Sequence, residues 1–457
     1  MAPQSEHRFV KFDRGRDPEP DPAEESGLFE SVRKQFIQAL HKQLPRALTN
    51  NVQVEPTHVD VLNPERFQVV FRVVLIRKQE LQMYYTVQPA VQVSATRPVD
   101  ENEVFAPFPS RLEIPHRQWV AWRHDRDPLF SRFPHLLPAV RPEELPEAIR
   151  ADSAQNGRIV QVVRQLIRYR PGTRATWKYL VTRQTGTGQL APDVYFAKLY
   201  RKAERAEQYY HNTREIYRLL HQRAVPVRVP EPVAIEPEQA VVWYRQATGQ
   251  VLVPRKELSE KNACLTDLAE SLVEFHALPV REFQLKDYTP VAELTRVKKI
   301  RRKIRETYPE FAPLMEKVEQ VLTRMVPTGE HVVALLHGTF RTNHILVSRC
   351  CFYFLDLDSL GSGPPEFDLA NFQTALYFQA LMGRVPLTVA QEFGNRFLYC
   401  YQKFNRAAFR PELYHWYRLD LLFRKQFYKI LRQNNPPPAR LLNRIRQEME
   451  KVLNEFN

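Results

Sequence analysis

Residues 331–372, HVVALLHGTFRTNHILVSRCCFYFLDLDSLGSGPPEFDLANF, contain the pattern that decides the fold. Three apolar segments are predicted to be strands: 332–336, 345–347 and 352–355. A polar loop separates the first two, and a tight turn joins the last two. The hairpin ends at Asp356 and Asp358, and its length returns both acids toward the polar loop. We therefore expect the loop and the two acids to form one site.

A small sheet bearing a lysine is predicted upstream. Residues 158–182 are typical of two antiparallel strands joined by a turn, and VYFAKLYR is typical of a third strand. Alternation along that strand places Lys198 on the face opposite to its two neighbours. A helix is predicted at 203–222, with an apolar strand after it.

Three strands, a helix and further strands, with a lysine in the third strand, indicate the small lobe of a kinase. There the lysine holds the α- and β-phosphates and pairs with a glutamate of the helix, because triphosphate charge must be neutralised at a fixed position. Glu215 is the first candidate for this glutamate and Glu207 the second. The alternative for Lys198 and for each glutamate is a solvent-facing charge. The turn at 170–172 does not match the G-x-G-x-x-G pattern.

The chain resembles the aminoglycoside phosphotransferase and choline kinase family in this region. That family's loop runs His-Gly-Asp, four residues, then Asn; this chain gives His337-Gly338-Thr339, four residues, then His344. The family's Ile-Asp-x-Glu/Asp segment corresponds to residues 355–358, and its Gly…Asp-Leu-Ala stretch corresponds to 363–370. A Tyr-x-Pro-Gly turn at 169–172 and the helix LAESLVEFHAL extend the resemblance to about residues 115–405.

The resemblance implies an α+β, bilobal protein kinase-like fold that uses ATP and Mg²⁺, with Mn²⁺ as an alternative ion. It implies that Lys198, Glu215 and the turn residues Arg170 and Gly172 bind the nucleotide and that Asp356 binds the metal. Asp358 would support a second metal or the acceptor pocket.

The remaining family positions imply supporting roles in the same loop. Asp368 would anchor the loop by hydrogen bonds, and His337 would brace it. The alternative for Asp356 and Asp358 is a pair of strand-end acids that bind nothing.

Two positions depart from the family pattern. Thr339 replaces the aspartate that accepts the proton of the acceptor hydroxyl, and a threonine hydroxyl is not a base near pH 7. His344 replaces the asparagine that supplies an oxygen to the second metal and is the second candidate metal ligand beside Asp356, although imidazole suits softer ions better than Mg²⁺. Asn343 stands one position earlier and is a substitute ligand if the loop shifts.

Two functions are compatible with this pattern. One is an ATP-dependent phosphotransferase that acts on a hydroxyl of a small polar molecule, with Lys198 on the phosphates, Asp356 on the metal, Thr339 in the loop and Asp358 as the replacement base. This reading is favoured because base catalysis contributes roughly 10²- to 10⁴-fold only. The alternative is an inactive pseudokinase, a nucleotide-binding or scaffolding protein that uses residues 27–105 to bind a protein partner.

The amino-acid composition limits the kinds of partner that the protein is expected to bind. The formal charge of +14 favours phosphate-bearing ligands without identifying one. The densest basic segment, 296–305, has helical apolar spacing and lacks interleaved aromatic residues, which argues against nucleic acid as a partner.

No apolar stretch reaches about 18 residues and no secretory signal is recognisable, so we expect a cytoplasmic protein without membrane attachment. Four scattered cysteines do not predict a disulfide or zinc site.

The chain is divided by composition into five segments. We predict a disordered tail (1–26), a small helix-plus-sheet extension (27–105), a Pro-rich connector (106–150), a kinase-like small lobe (151–250) and a helical large lobe (251–457).

In the family the acceptor pocket is built from C-terminal helices. The C-terminal third is strongly basic here, which favours a neutral or anionic acceptor over a cationic aminoglycoside.

Overall fold

The computed structural model describes most of the chain beyond residue 27. The described residues are 28–63, 66–75, 81–90, 108–114, 118–124, 127, 140–223, 225–254, 263–327, 331–349, 351–405, 409–433 and 439–456. The tail predicted at 1–26 lies outside them.

An N-terminal unit consists of one long helix, one short helix and a five-stranded antiparallel sheet. Its elements are α1 (Leu28–Gln43), α2 (Arg46–Thr49), β1 (Val52–Asn63), β2 (Arg66–Leu75), β3 (Leu81–Pro89), β4 (Arg111–Ile114) and β5 (Trp119–Arg123). The strand order is β1-β2-β3-β5-β4. Helix α1 buries Val32, Phe36 and Leu40 against the sheet, and the Phe36 ring stacks on Phe71 at 4.9 Å.

The N-terminal sheet extends further along the chain than we predicted. Strands β4 and β5 lie within the predicted connector, 106–150, yet β5 pairs with β3. They are only four and five residues long. Periodicity cannot identify such short strands, because β5 depends on the edge that β3 offers and β4 depends on the edge that β5 offers.

The small lobe contains the predicted hairpin, the lysine strand and the helix. Its elements are α3 (Glu147–Asn156), β6 (Arg158–Arg170), β7 (Arg174–Gln184), β8 (Leu190–Tyr200), α4 (Ala203–Arg223), β9 (Val227–Arg228), β10 (Pro232–Glu236) and β11 (Val241–Arg245). The sheet order is β10-β11-β8-β7-β6. Ala197 and Leu199 are buried in the core on one face of β8, as alternation predicted, which leaves Lys198 on the other face.

The N-terminal unit packs on the back of the small lobe. Val70 and Tyr84 from β2 and β3 share a core with the buried face of β7 and β8, while Val69 and Phe71 face α1. Strand β1 also contacts the large lobe at residues 428–433. Parts of both faces of the N-terminal sheet are therefore packed within the chain.

The large lobe is mainly helical and surrounds a small set of short strands. Its elements are β12 (Gln250–Val251), α5 (Ala263–His276), β13 (Lys286–Asp287), α6 (Pro290–Thr307), α7 (Ala312–Arg324), β14 (Ala334–Leu336), β15 (Ile345–Val347), β16 (Phe352–Phe354), β17 (Gly361–Gly363), α8 (Glu366–Leu381), α9 (Leu387–Phe404), α10 (Pro411–Leu421), a π-helical segment (Leu422–Phe427), α11 (Tyr428–Gln433) and α12 (Ala439–Asn454). The basic segment lies in α6, an amphipathic helix that buries Val297 and Ile304. The bilobal α+β architecture is confirmed.

None of the described helices is both long enough and apolar enough to cross a lipid bilayer.

Candidate active site

Lys198 and the two acids of the hairpin meet between the lobes. The Lys198 Nζ lies 2.9 Å from Asp356 Oδ1 and 2.5 Å from Asp358 Oδ2. Arg174, at the start of β7, also donates to Asp358 and lies 3.5 Å from Asp356. Strand register explains this convergence, since Arg174 pairs with Tyr200 and Thr176 with Lys198, so both cations project from one face.

Burial and the neighbouring charges have opposite effects on the pKa values of the groups in this cluster. Burial lowers the pKa of Lys198 to about 8, although Asp356 favours its charged form. Burial alone would raise the pKa of Asp356, but Lys198 and Arg174 hold it well below its usual range. Both groups are therefore charged at pH 7, and the ion pair joins the small lobe to the large lobe.

The helix partner predicted for Lys198 is not the one in the structure. Glu215 binds Arg218 one turn along α4, and it does not reach Lys198. The ring of Tyr209 faces the Lys198 ammonium at 4.8 Å instead, which is the geometry of a cation–π contact. Tyr200 Oη donates to Asp358 Oδ1 at 2.7 Å. We missed both tyrosines because an aromatic residue on a helix or strand ordinarily indicates core packing.

The loop at residues 337–344 is anchored as predicted. The Asp368 carboxylate accepts hydrogen bonds from the backbone N–H of His337 at 2.7 Å and of Gly338 at 2.9 Å. His337 Nε2 donates to the carbonyl of Leu355 at 2.9 Å, and burial lowers its pKa, so a neutral imidazole braces the loop. Gly338 has φ +76°, and any Cβ there would collide with the Ser359 carbonyl.

Asp356 itself adopts a left-handed backbone conformation, with φ 61°. This conformation is uncommon for a residue with a Cβ, and it ends β16 so that the carboxylate turns toward β8. The sequence pattern predicted the position of this acid but gave no sign of its backbone conformation.

The two substituted loop positions differ in their surroundings. The Thr339 side chain is partly exposed, and its backbone N–H approaches His337 Nδ1 at 3.4 Å. His344 is buried, and its Nε2 accepts from Arg341 Nη2 at 2.7 Å. Burial, followed by Arg341, lowers the pKa of His344 well below its usual range. The Asn343 side chain is exposed.

The described side chains at this site can supply one metal ligand, not two. Asp356 Oδ2 lies 3.6 Å from His344 Nε2 and 3.9 Å from Arg168 Nη1, so a hard oxygen atom remains open to an ion. The Nε2 lone pair of His344 is already used by Arg341, so the predicted role of His344 as a metal ligand does not fit. Among the described residues no group of three or more His, Cys, Asp or Glu side chains is arranged for a metal. A cation held here would need oxygens from a ligand.

The turn after β6 is held by the N-terminal unit. Gly172 has φ +59°, and its N–H donates to Asp127 Oδ2 at 2.9 Å, while Tyr169 Oη donates to the same oxygen at 2.6 Å. Gly172, which we predicted to bind the nucleotide, thus uses its amide for a partner within the chain. Arg170 remains near the site, and burial together with Arg168 and Arg174 lowers its pKa to about 10. No sequence signal pointed to Asp127, which lies in the predicted connector.

The chain belongs to a phosphotransferase family. The model of the phosphotransferase enzyme family, APH, matches residues 165–411, more than half of the chain, and it includes the lysine strand, the loop and both acids. The resemblance proposed from the sequence is thereby confirmed. Among curated proteins, none matches this chain in sequence.

Several solved structures have similar chains at low identity. APH(2")-IIa in its ternary complex with streptomycin and ATP is 14% identical with a TM-score of 0.42, over 70% of this chain and 99% of that one. Choline kinase LicA from Streptococcus pneumoniae is 14% identical with a TM-score of 0.43, over 67% and 97%. Macrolide 2'-phosphotransferase MphH from Brachybacterium faecium is 14% identical with a TM-score of 0.42, over 68% and 98%.

Proposed function

We propose that the protein is an ATP-dependent phosphotransferase that transfers the γ-phosphate to a hydroxyl of a small polar molecule. The observation that carries this proposal is the ion pair between Lys198 and Asp356, 2.9 Å apart, which brings a phosphate-binding cation and a metal-binding acid together across the cleft. The proposed use of ATP also favours a cytoplasmic location.

In this proposal the cations on β6 to β8 bind the triphosphate. Lys198 and Arg174 are buried or nearly so, and Arg168 lies beside them, so three positive charges face two acids. The unbalanced charge favours a polyanion in this space. Binding would require Lys198 to share or exchange its carboxylate partners for phosphate oxygens.

Asp356 fits Mg²⁺ or Mn²⁺ through its carboxylate, and such an ion supplies charge neutralisation to the β- and γ-phosphates when bound. In the transfer itself, the acceptor oxygen forms a bond to the γ-phosphorus while the bond from that phosphorus to the β–γ bridging oxygen breaks. ADP leaves, and the hydroxyl proton passes to solvent or to a phosphate oxygen. Because this transition state is loose, positioning and charge account for most of the catalysis.

Asp358 is better suited to positioning than to proton transfer. Its Oδ1 accepts from Tyr200, and its Oδ2 accepts from Lys198 and Arg174. Taking a proton from the acceptor would therefore cost at least one charge-assisted hydrogen bond. We propose that Asp358 holds Lys198 and Arg174 in place and that the enzyme works without a carboxylate base.

The pseudokinase alternative is supported by a separate observation. The loop position next to the acceptor carries Thr339, and the second-metal position is taken by the Arg341–His344 contact, so both proton acceptance and a second metal site are missing from the described loop. A protein of this kind would bind nucleotide through Lys198 and Asp356 and would turn over little or none of it.

One experiment distinguishes the two candidates. Thermal unfolding is measured with ATP or ADP and Mg²⁺ or Mn²⁺, and ATP consumption is then followed with a panel of small hydroxyl compounds. A ligand that binds only the folded state adds RT ln(1 + [L]/Kd) to stability. A nucleotide-dependent rise in Tm with acceptor-dependent ADP formation is expected. A rise in Tm without turnover would favour the pseudokinase, and no rise with any nucleotide would remove both candidates.

A further inference from the structure

A cavity lies in the large lobe between α8, α9, α10 and α12, outside the proposed active site. Its volume is about 620 Å³, which is within the range of small-molecule sites, roughly 300–1,000 Å³. Gln373 and Tyr377 of α8 form one wall, and Tyr414 and Arg418 of α10 form another. We call this space the α8–α12 cavity.

The α8–α12 cavity is separate from the cleft because α8 presents different faces to the two. Asn371 and Gln379 donate to a carbonyl and a hydroxyl of the loop at residues 337–344, at 2.7 and 2.9 Å. With 3.6 residues per turn, Gln373 and Tyr377 lie on the opposite side of the helix. A compound in the α8–α12 cavity would therefore be a second ligand and not the acceptor of the phosphoryl group.

A buried tyrosine lines the cavity with a free hydroxyl. Tyr414 is only 5% exposed, yet its Oη makes no hydrogen bond to any residue that the structure describes. Burial raises the pKa of Tyr414 to about 12, so the phenol keeps its proton and can both donate and accept. Buried polar groups in proteins are ordinarily hydrogen-bonded, and one left without a partner is unfavourable. This hydroxyl therefore indicates a ligand.

A glycine in the interior of α9 makes room for a carboxamide pair in the same cavity. A Cβ atom at Gly394 would overlap Gln373 Oε1, so glycine is what leaves the amide in place. Glycine is unfavourable in a helix interior, and its presence needs a local reason of this kind. Gln373 Nε2 donates to Asn395 Oδ1 at 3.2 Å. Gln373 Oε1 remains as an acceptor and Asn395 Nδ2 as a donor, and neither bonds another described residue.

The charged groups at the end of the cavity formed by α10 and α12 are paired with one another. Arg418 donates to Glu448 Oε1 at 3.0 Å and lies 3.4 Å from Glu455 Oε2. His415 Nδ1 lies 2.5 Å from the same oxygen of Glu455. Lys451 is exposed beside them. Two acids thus stand against two permanent cations, and this balance favours a neutral ligand over an ionic one.

The uncharged lining matches a compound that carries several hydroxyl groups. It contains four carboxamides and two phenols: Gln373, Gln391, Asn395, Gln402, Tyr377 and Tyr414. A carboxamide both donates and accepts hydrogen bonds, as a hydroxyl does, so hydroxyl groups in this space find both kinds of partner. The aromatic rings offer apolar faces to the C–H groups of a sugar ring.

We propose that the α8–α12 cavity is a second binding site for a neutral polyhydroxylated compound, a sugar or a cyclic polyol. Tyr414, Gln373 and Asn395 bind its hydroxyl groups. The proposal goes beyond the phosphotransferase reaction and does not depend on it, since binding in this cavity needs neither nucleotide nor metal.

The test uses glucose, sucrose and myo-inositol as probes of the full chain. Saturation-transfer NMR detects which of them binds, and calorimetry gives the Kd. We expect saturable binding of at least one probe, with the same Kd when AMP-PNP and Mg²⁺ are present. Glucuronate and glucosamine, which are charged analogues of glucose, should bind more weakly than glucose does.

Two substitutions change the site with little effect on the fold. Tyr414→Phe removes the free hydroxyl and should raise the probe Kd about threefold to tenfold, as loss of one neutral hydrogen bond predicts. Without probe its Tm should be unchanged or higher, because no hydrogen bond within the described chain is lost. Gly394→Ala displaces the Gln373 amide and should also weaken binding. Tyr399→Phe is the control, since Tyr399 is exposed on α9 outside the cavity, and it should bind as the wild type does.

Several outcomes would overturn the proposal while leaving the proposed phosphotransferase function intact. They are failure of all three probes to bind the wild type, an unchanged Kd in Tyr414→Phe, and displacement of the probe by AMP-PNP, which would place the probe in the cleft. Tighter binding of glucuronate or glucosamine than of glucose would overturn the ligand class. Failure of AMP-PNP itself to bind would count against the proposed function alone.

Discussion

The end of the hairpin and the loop at residues 337–344 face the same cleft, but their charged and polar groups have different kinds of partner. At the hairpin end, Asp356 and Asp358 are paired with Lys198 and Arg174. In the loop, Arg341 donates to the neutral ring of His344, and no acid stands at position 339. Under the proposed function, the groups that would hold phosphate and a metal are retained, while the groups that would handle a proton are replaced. Nucleotide binding is thus proposed to depend on the hairpin end and proton handling on the loop, so a substitution can alter one without the other.

The largest effect is expected when one partner of the ion pair at the end of the hairpin is removed. Lys198→Ala or Asp356→Ala should erase the Tm gain that ATP with Mg²⁺ gives the wild type, because each removes one half of the cross-cleft pair. Differential scanning fluorimetry with and without nucleotide measures this. Glu215→Ala is the control, since Glu215 contacts Arg218 rather than Lys198, and it should keep the full gain. Retention of the gain in Lys198→Ala would show that nucleotide does not bind there.

Changing the loop at residues 337–344 should have the next largest effect. Thr339→Asp combined with His344→Asn restores the family's residues at positions with the correct spacing. If base catalysis limits a slow enzyme, ATP turnover should rise by about tenfold or more. A pseudokinase would stay at background while its nucleotide binding is unchanged.

Asp358 provides the matching test of proton transfer. We expect Asp358→Asn to alter nucleotide affinity through Lys198 and Arg174 and to leave the acidic limb of the pH profile of turnover in place. Loss of that acidic limb would identify Asp358 as the base and contradict the positioning role.

The hairpin end should also respond to pH. The pKa of Lys198 is about 8, below its usual 10.5, so this cation is fully present below pH 8 and is lost as the pH rises through that value. Anion binding needs the charged form, so ADP affinity should fall several-fold, up to about tenfold, between pH 7 and 9. In Lys198→Arg the guanidinium stays charged, and the bend near pH 8 should disappear even where affinity is lower. A flat ADP affinity in the wild type from pH 7 to 9 would refute this.

The smallest effect is expected at the contact between the N-terminal unit and the turn after β6. Asp127→Asn weakens the acceptor for the Gly172 N–H and for Tyr169 Oη, and a buried hydrogen bond to a charged group contributes about 1.5–3 kcal/mol. We expect a Tm loss of a few degrees and a few-fold loss of nucleotide affinity.

The control for Asp127 is Glu113→Gln, which removes an exposed acid from β4 of the same sheet and should change neither quantity. A normal nucleotide affinity with reduced Tm would limit Asp127 to a structural role.

Much of the fold could be predicted because its signals are local. The alternation around Lys198, the apolar face of α1 and the acids at the end of the hairpin are all set by residues close in sequence. Strands β4 and β5 could not be predicted in this way, since each is short, and β5 depends on pairing with β3 while β4 depends on pairing with β5. The partner of Lys198 was also beyond local reasoning, since Tyr209 and Glu215 lie on one helix and its rotation decides which side chain faces β8.

The sequence by itself determined the family, the two lobes, the lysine strand, the loop anchored by Asp368 and the loss of the usual acid at Thr339. These follow from residue types at fixed spacing, which backbone geometry turns into fixed positions. The tertiary structure alone decided which charges meet. It paired Lys198 and Arg174 with Asp356 and Asp358, gave the His344 lone pair to Arg341, and placed Asp127 on the Gly172 amide. Electrostatic and hydrogen-bond energies depend on distance and burial between residues far apart in the chain, and no local pattern records either quantity.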